Sequence, residues 1–159
     1  TLQPEDKVKL EALSGVATDS IVSSIRRSFH EDMLFTHRGL SGPAILQVSS
    51  YWEPGEVIEI DFFPKLDLFE ILKTMKQDRP QAMLKTILAE YLPKNLINAL
   101  VTSDIAEQVL QIISHKQLAD IADLLQRWKI KPNGTEGYRT AEVTLGGVDT
   151  TVLSSKSME

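Results

Sequence analysis

Cysteine is absent from the chain. That excludes a disulfide scaffold, thiolate metal sites and a cysteine nucleophile. No apolar run reaches the roughly eighteen residues a membrane-spanning helix needs. Thr1-Leu2-Gln3-Pro4-Glu5-Asp6 is polar and acidic and does not read as a signal peptide. The expectation is a cytoplasmic protein without a membrane partner. The three histidines, His30, His37 and His115, are far apart and lack metal-ligand spacing, so no metal site is expected. No G-x-G-x-x-G follows a strand and no P-loop is present. Gly39-Leu40-Ser41-Gly42 lacks the spacing of a nucleophile elbow. Internal repeats and low-complexity segments are also missing.

Positive charge is in deficit. Seventeen Lys and Arg face 22 Asp and Glu, a net charge of −5, which argues against a nucleic-acid partner for the whole chain. What remains is an ordinary globular composition, 42% hydrophobic and 25% charged over 159 residues, enough for one good core or two small ones.

One stretch organises the rest: Leu34 to Leu46. Met33, Leu34 and Phe35 read as a strand, Gly39 breaks it, and a helix restarts with Ser41 as candidate N-cap and Pro43 in the first turn. His37 and Arg38 lie on the glycine-flanked turn between them. Such a turn either is a solvated connection or presents side chains to a ligand.

Before this stretch, Gln3 to Leu13 reads as a short helix or turn with Val8, Leu10 and Leu13 as apolar contacts. Val16 to Ile25 and Phe29 to Thr36 read as strands joined around Arg26-Arg27-Ser28. That arginine pair carries no functional expectation. After the helix of Pro43 to Tyr51, Val57 to Phe63 has strand period, with Ile58, Ile60 and Phe62 on the buried face and Glu59 and Asp61 on the wet one.

From Pro64 the period becomes helical. Stripes run through Leu68, Phe69, Leu72 and Met75; Met83 to Leu92; Leu96 to Val101; Ile105, Val109, Ile112 and Ile113; and Leu118, Ile121, Leu125 and Trp128. Asp67-x-x-Glu70 resembles a capping box, and Ser114-x-x-Gln117 reads as one. Lys131-Pro132-Asn133-Gly134 stops the block. Tyr138 to Leu145 then alternates as a strand, interrupted at Gly146-Gly147. A double glycine at a strand end either marks a bulge or lets another group approach the backbone.

The fold class expected is therefore α+β: a β-barrel-like sheet formed by the N- and C-terminal flanks, residues 1–63 and 132–159, with a helical bundle subdomain inserted at 64–131. That helical block invites comparison with nucleic-acid-binding modules or a protein-interaction module. Its charge is only +2, dispersed over five helices, against −7 for the remainder, which is a poor phosphate footprint.

LFTHRGLSGPAILQVSSYW (Leu34 to Trp52), GTEGYRTAEVTLGGV (Gly134 to Val148) and the ending SSKSME together resemble the bacterial YhiN- or BaiN-type flavoproteins, which include aminoacetone oxidase. The resemblance spans essentially the whole chain. It implies the middle insert of an FAD-dependent oxidoreductase, with an NAD(P) link left open, built as a barrel carrying a helical subdomain that covers the flavin from the substrate side. It further implies that Thr144, Gly146, Gly147 and Val148 lie near the flavin, and that His37 and Arg38 face substrate or flavin. The partners implied are the protein's own FAD-binding domain and a small-molecule substrate, without nucleic acid. FAD is expected in the intact parent and not in this piece, which is not expected to catalyse alone. A missing initiator Met and the open ending Ser157-Met158-Glu159 fit an excised domain.

Overall fold

The structure, a computed structural model, describes residues 1–147. Five antiparallel strands form one sheet in the order β3-β2-β1-β4-β5. The class is α+β, with seven α-helices among the described residues.

Helix α1 (Pro4–Leu10) starts on a proline, has Glu5 and Asp6 in its first turn, and runs into a 3-10 turn over Glu11–Leu13. Leu10 and Leu13 are buried, but Val8 is 75% exposed and makes no core contact, contrary to expectation. β1 (Ala17–Ser23) and β2 (Ser28–Thr36) pair in register from Ala17↔Leu34 to Ser23↔Ser28. Ser20, Val22, Met33 and Phe35 point inward, while Asp19, His30 and Asp32 point to water. β4 (Ile58–Asp61) adds to β1 with Ile58 and Ile60 buried.

Two corrections concern the central stretch. Gly39–Ser41 is a strand, β3, which returns antiparallel along β2 through a two-residue turn at His37-Arg38. The N-cap of α2 (Pro43–Ser49) is Gly42 rather than Ser41. Gly42 holds φ 92°, and a Cβ there would lie 2.9 Å from the Asp32 carbonyl oxygen and 3.0 Å from the Leu34 nitrogen. The chain crosses β2 too closely for a side chain, so glycine serves both the turn and the crossing.

The helical block opens with α3 (Leu68–Asp78), whose first turn is capped by Asp67 accepting from the Glu70 N–H at 3.1 Å. α7 (His115–Gln126) begins with the full capping box of Ser114 and Gln117. The two helices pack on each other. Gln126 joins them: its Oε1 accepts from the Leu68 N–H at 3.1 Å and its Nε2 donates to the Leu66 carbonyl at 2.9 Å. Between them lie α4 (Leu84–Leu88), α5 (Lys94–Leu100) and α6 (Ser103–Ala106).

The fourth helical stripe is overturned. α6 ends at Ala106, Val109 bridges Met83, and Ile112 is 66% exposed. Leu84 N–H donates to Gln108, Leu110 N–H to Ala82 and Gln111 N–H to Pro80, a small ladder that satisfies these backbones without a helix.

Trp128 is also not helical. Trp128–Ile130 is β5, paired with β4 through Ile60↔Trp128 and Ile58↔Ile130. The Trp128 ring packs 6.2 Å from Phe35 and 5.8 Å from Phe62, within the sheet that packs against the helices. The buried side chains form one cluster running through both. Residues 138–145, expected as a strand, are turn and irregular backbone; the edges of the described sheet are β3 and β5.

Candidate functional site

The turn at His37-Arg38 is held by Thr36, whose Oγ1 accepts from the backbone N–H of Arg38 at 3.3 Å and of Gly39 at 3.1 Å. Both side chains are exposed. His37 makes no side-chain hydrogen bond to a described residue. Arg38 Nη1 donates to Glu136 Oε2 at 3.2 Å, tying the turn to the segment that follows β5. Desolvation pushes the Glu136 carboxyl up, but the hydrogen bond and charge of Arg38, with a hydrogen bond from Thr140, hold its pKa below the usual carboxylate value.

That segment crosses over the start of the chain. Asn133 N–H donates to the Thr1 carbonyl at 2.9 Å, and Thr1 Oγ1 donates to the Gly134 carbonyl at 3.1 Å. Beyond it, residues 134–145 run above β3 and α2 and enclose a groove of about 420 Å³. Its floor is Leu40, Ser41, Ile45, Val48 and Trp52; its roof includes Glu136, Tyr138, Val143, Thr144 and Leu145. Trp52 is fixed by its indole N–H donating to the Glu56 carbonyl at 2.9 Å.

Of the expected site residues, Thr144 lines this groove, and Gly146 and Gly147 follow it on exposed backbone. Gly146 has φ 96° and Gly147 φ 144°, with nothing within 4 Å of where a Cβ would stand. A flat group could approach the backbone there. Val148 lies outside the described residues. His37 and Arg38 do not line the groove; Arg38 reaches it only through Glu136.

The groove is mostly apolar, and no Lys or Arg lines it. It suits a ring or an apolar chain. Nothing in it would pair with a pyrophosphate, so the described residues fit at most the ring end of a dinucleotide. No group of three or more His, Asp or Glu among the described residues could hold a metal.

A second constellation was not anticipated from the sequence. At the β1–β2 tip, Arg26 pairs with Glu53 at 2.8 Å and Glu56 at 3.5 Å and donates to the Tyr51 carbonyl at 2.8 Å. The Arg27 guanidinium lies 5.9 Å from the centroid of the Tyr51 ring, which itself packs 5.6 Å from Phe29. Only the adjacent arginines were visible in the sequence; Phe29 lies at the start of β2, and Tyr51 comes from the turn after α2.

The family profile for the HI0933-like protein barrel and H2TH domain matches residues 1–143. The chain belongs to this HI0933-like family. A relative from Haemophilus influenzae named ribosomal RNA dihydrouridine synthase is 47% identical over 161 residues, covering 100% of this chain and 40% of the relative. One of the same name from Escherichia coli is 46% identical over 153 residues, covering 95% of this chain and 38% of the relative. The HI0933-like domain described here thus spans about two fifths of the length of these relatives, as a partial domain of a larger protein would. No helix among the described residues of this HI0933-like chain is long and apolar enough to cross a membrane.

Proposed function

We propose that this chain is the substrate-side domain of a flavin-dependent enzyme that reduces uridine in ribosomal RNA to dihydrouridine. The observation that carries the proposal is the 46–47% identity, over nearly the whole chain, to two proteins named for that reaction. In this proposal the substrate is a base held in RNA, whereas composition and resemblance had led to an expectation of a small molecule and no nucleic acid. Net charge is a statement about the whole surface, and a domain can carry a local RNA contact at an unfavourable total.

The reaction saturates the C5–C6 bond of uracil, adding a hydride at one carbon and a proton at its neighbour. A flavin supplies that hydride when bound and reduced, with a reduced nicotinamide as the source that recharges it. This chain's own contribution is shape. The groove beside Thr144, with open backbone at Gly146-Gly147, offers an apolar wall against a flat ring. The pyrophosphate and nucleotide half of FAD falls to the rest of the protein in this proposal.

The test is genetic and chemical. Ribosomal RNA from cells lacking the gene should lose dihydrouridine, and the intact gene should restore it. Unchanged dihydrouridine in the deletion strain would remove the proposal.

A further inference from the structure

Resting on the proposed RNA substrate, we infer that the tip of the β1–β2 hairpin, with Arg27 and Tyr51, is a contact surface for unpaired bases of RNA. The tip is a built platform. Ser24 N–H donates to the Arg27 carbonyl at 2.8 Å, and Ser24 Oγ accepts from the N–H groups of Arg26 and Arg27 at 3.2 Å each. Arg26 fastens the tip to the 51–56 loop through Glu53, Glu56 and the Tyr51 carbonyl. Arg27 then lies over Tyr51, and Tyr51 against Phe29.

The chemistry suits an unstacked base. Tyr51 is 39% exposed and backs the exposed Arg27 guanidinium, whose outer plane is the surface offered to a base, and Ile25 at the extremity of the hairpin is 79% exposed. Aromatic rings and guanidinium planes are what single-stranded RNA stacks on, and every base has a face to offer. Arg27 has no carboxylate partner among the described residues, so it can meet a phosphate without first breaking an ion pair. In the helical block Lys73 is paired with Glu70, Arg79 with Glu90, Lys85 with Glu107 and Arg127 with Asp123, while Lys94, Lys116 and Lys131 are exposed lysines, point charges with no guanidinium plane to stack on a base. Nor can the open face of the sheet serve, because it presents Asp19, Asp32, Glu59 and Asp61.

Charge also sets the mode. Glu53 and Glu56 offset Arg26 and Arg27, so the tip is close to neutral. Stacking must therefore carry the contact, with a single phosphate at Arg27. Affinity should fall only gently with salt at this site, by a slope of about one phosphate.

The experiment uses the full-length protein, a labelled single-stranded oligouridylate of about 20 nucleotides and a duplex RNA of equal length, read by fluorescence anisotropy at several salt concentrations. The single strand should bind more tightly than the duplex. Tyr51→Leu and Arg27→Gln should each weaken single-strand binding by about tenfold, and Arg27→Gln should lower the salt slope by about one. Arg27→Lys should restore the slope but not the full affinity, because an ammonium does not stack. Arg79→Gln, in the helical block, should change nothing. If the unsubstituted protein binds the single strand and both tip variants bind it equally well, the tip is not the contact and the RNA proposal survives. If the unsubstituted protein binds neither RNA at low salt, both inferences fall.

Discussion

Replacing Gly42 with alanine tests why the central stretch folds as it does. Two costs add. The residue sits at φ 92°, where an L side chain is strained by roughly 1–3 kcal/mol. The new Cβ also lands 2.9 Å from the Asp32 carbonyl oxygen, 3.0 Å from the Leu34 nitrogen and 3.2 Å from the Met33 Cα, all backbone of the strand that pairs with both β1 and β3. Flexible side chains could move aside; this backbone cannot without disturbing two ladders. Together the terms give about 2–6 kcal/mol, with overpacking supplying the second part at about 1–3 kcal/mol. Gly15 is the control, because it has φ 88° and nothing within 4 Å of its Cβ position, so Gly15→Ala reports the strain alone. Urea denaturation of the two variants, compared at equal m-value, isolates the crossing contact. Equal destabilisation by both would refute the close crossing of β2 by Gly42.

Further outcomes follow from other parts of the fold. Leu88→Ala should lower stability by about 2–5 kcal/mol, because Leu88 is fully buried among the helices; thermal denaturation measures it. Gln126→Ala should cost about 1–3 kcal/mol, since it leaves the Leu68 N–H and Leu66 carbonyl without their partner. Asp61→Asn should stabilise at pH 7. Burial raises the Asp61 pKa despite the hydrogen bond from the Phe63 N–H at 2.7 Å, so the unfolded chain loses this proton first as pH rises, and stability declines through that interval. The gain should vanish at a pH below the ordinary carboxylate range, where both states are protonated; melting curves at pH 3 and pH 7 decide it.

Local signals survived from sequence to structure. The β1–β2 hairpin was legible from alternation around a polar turn, and Asp67 and Ser114 announced the first turns of α3 and α7 by the chemistry of their side chains. What failed depended on partners distant in the chain. Trp128 continues the stripe of Leu118, Ile121 and Leu125 at helical spacing, yet it pairs with Ile60 because the edge of β4 was open. Ile105, Val109 and Ile113 also fit a helix, but the 108–111 backbone found its hydrogen bonds on Pro80, Ala82 and Leu84. Residues 138–145 alternate like a strand and pair with no described strand.

The candidate site divides in the same way. His37 and Arg38 were visible as a turn, while the link from Arg38 to Glu136 spans 98 residues and had no sequence signal. Gly146 and Gly147 have positive φ and open surroundings, but the strand they were expected to end is absent. Arg27 drew no expectation, because its ring partner Tyr51 reaches it, against Phe29, only after α2 has packed on the sheet.

The most direct test of the central claim is reconstitution. The purified full-length protein, with FAD and NADPH, is incubated with ribosomal RNA from cells lacking the gene, and the digested nucleosides are weighed by mass spectrometry. Uridine in the RNA should gain two hydrogens in proportion to the RNA added, and free uridine should not react at a comparable rate. No dihydrouridine in the RNA, with the same preparation oxidising or reducing a small molecule, would contradict it.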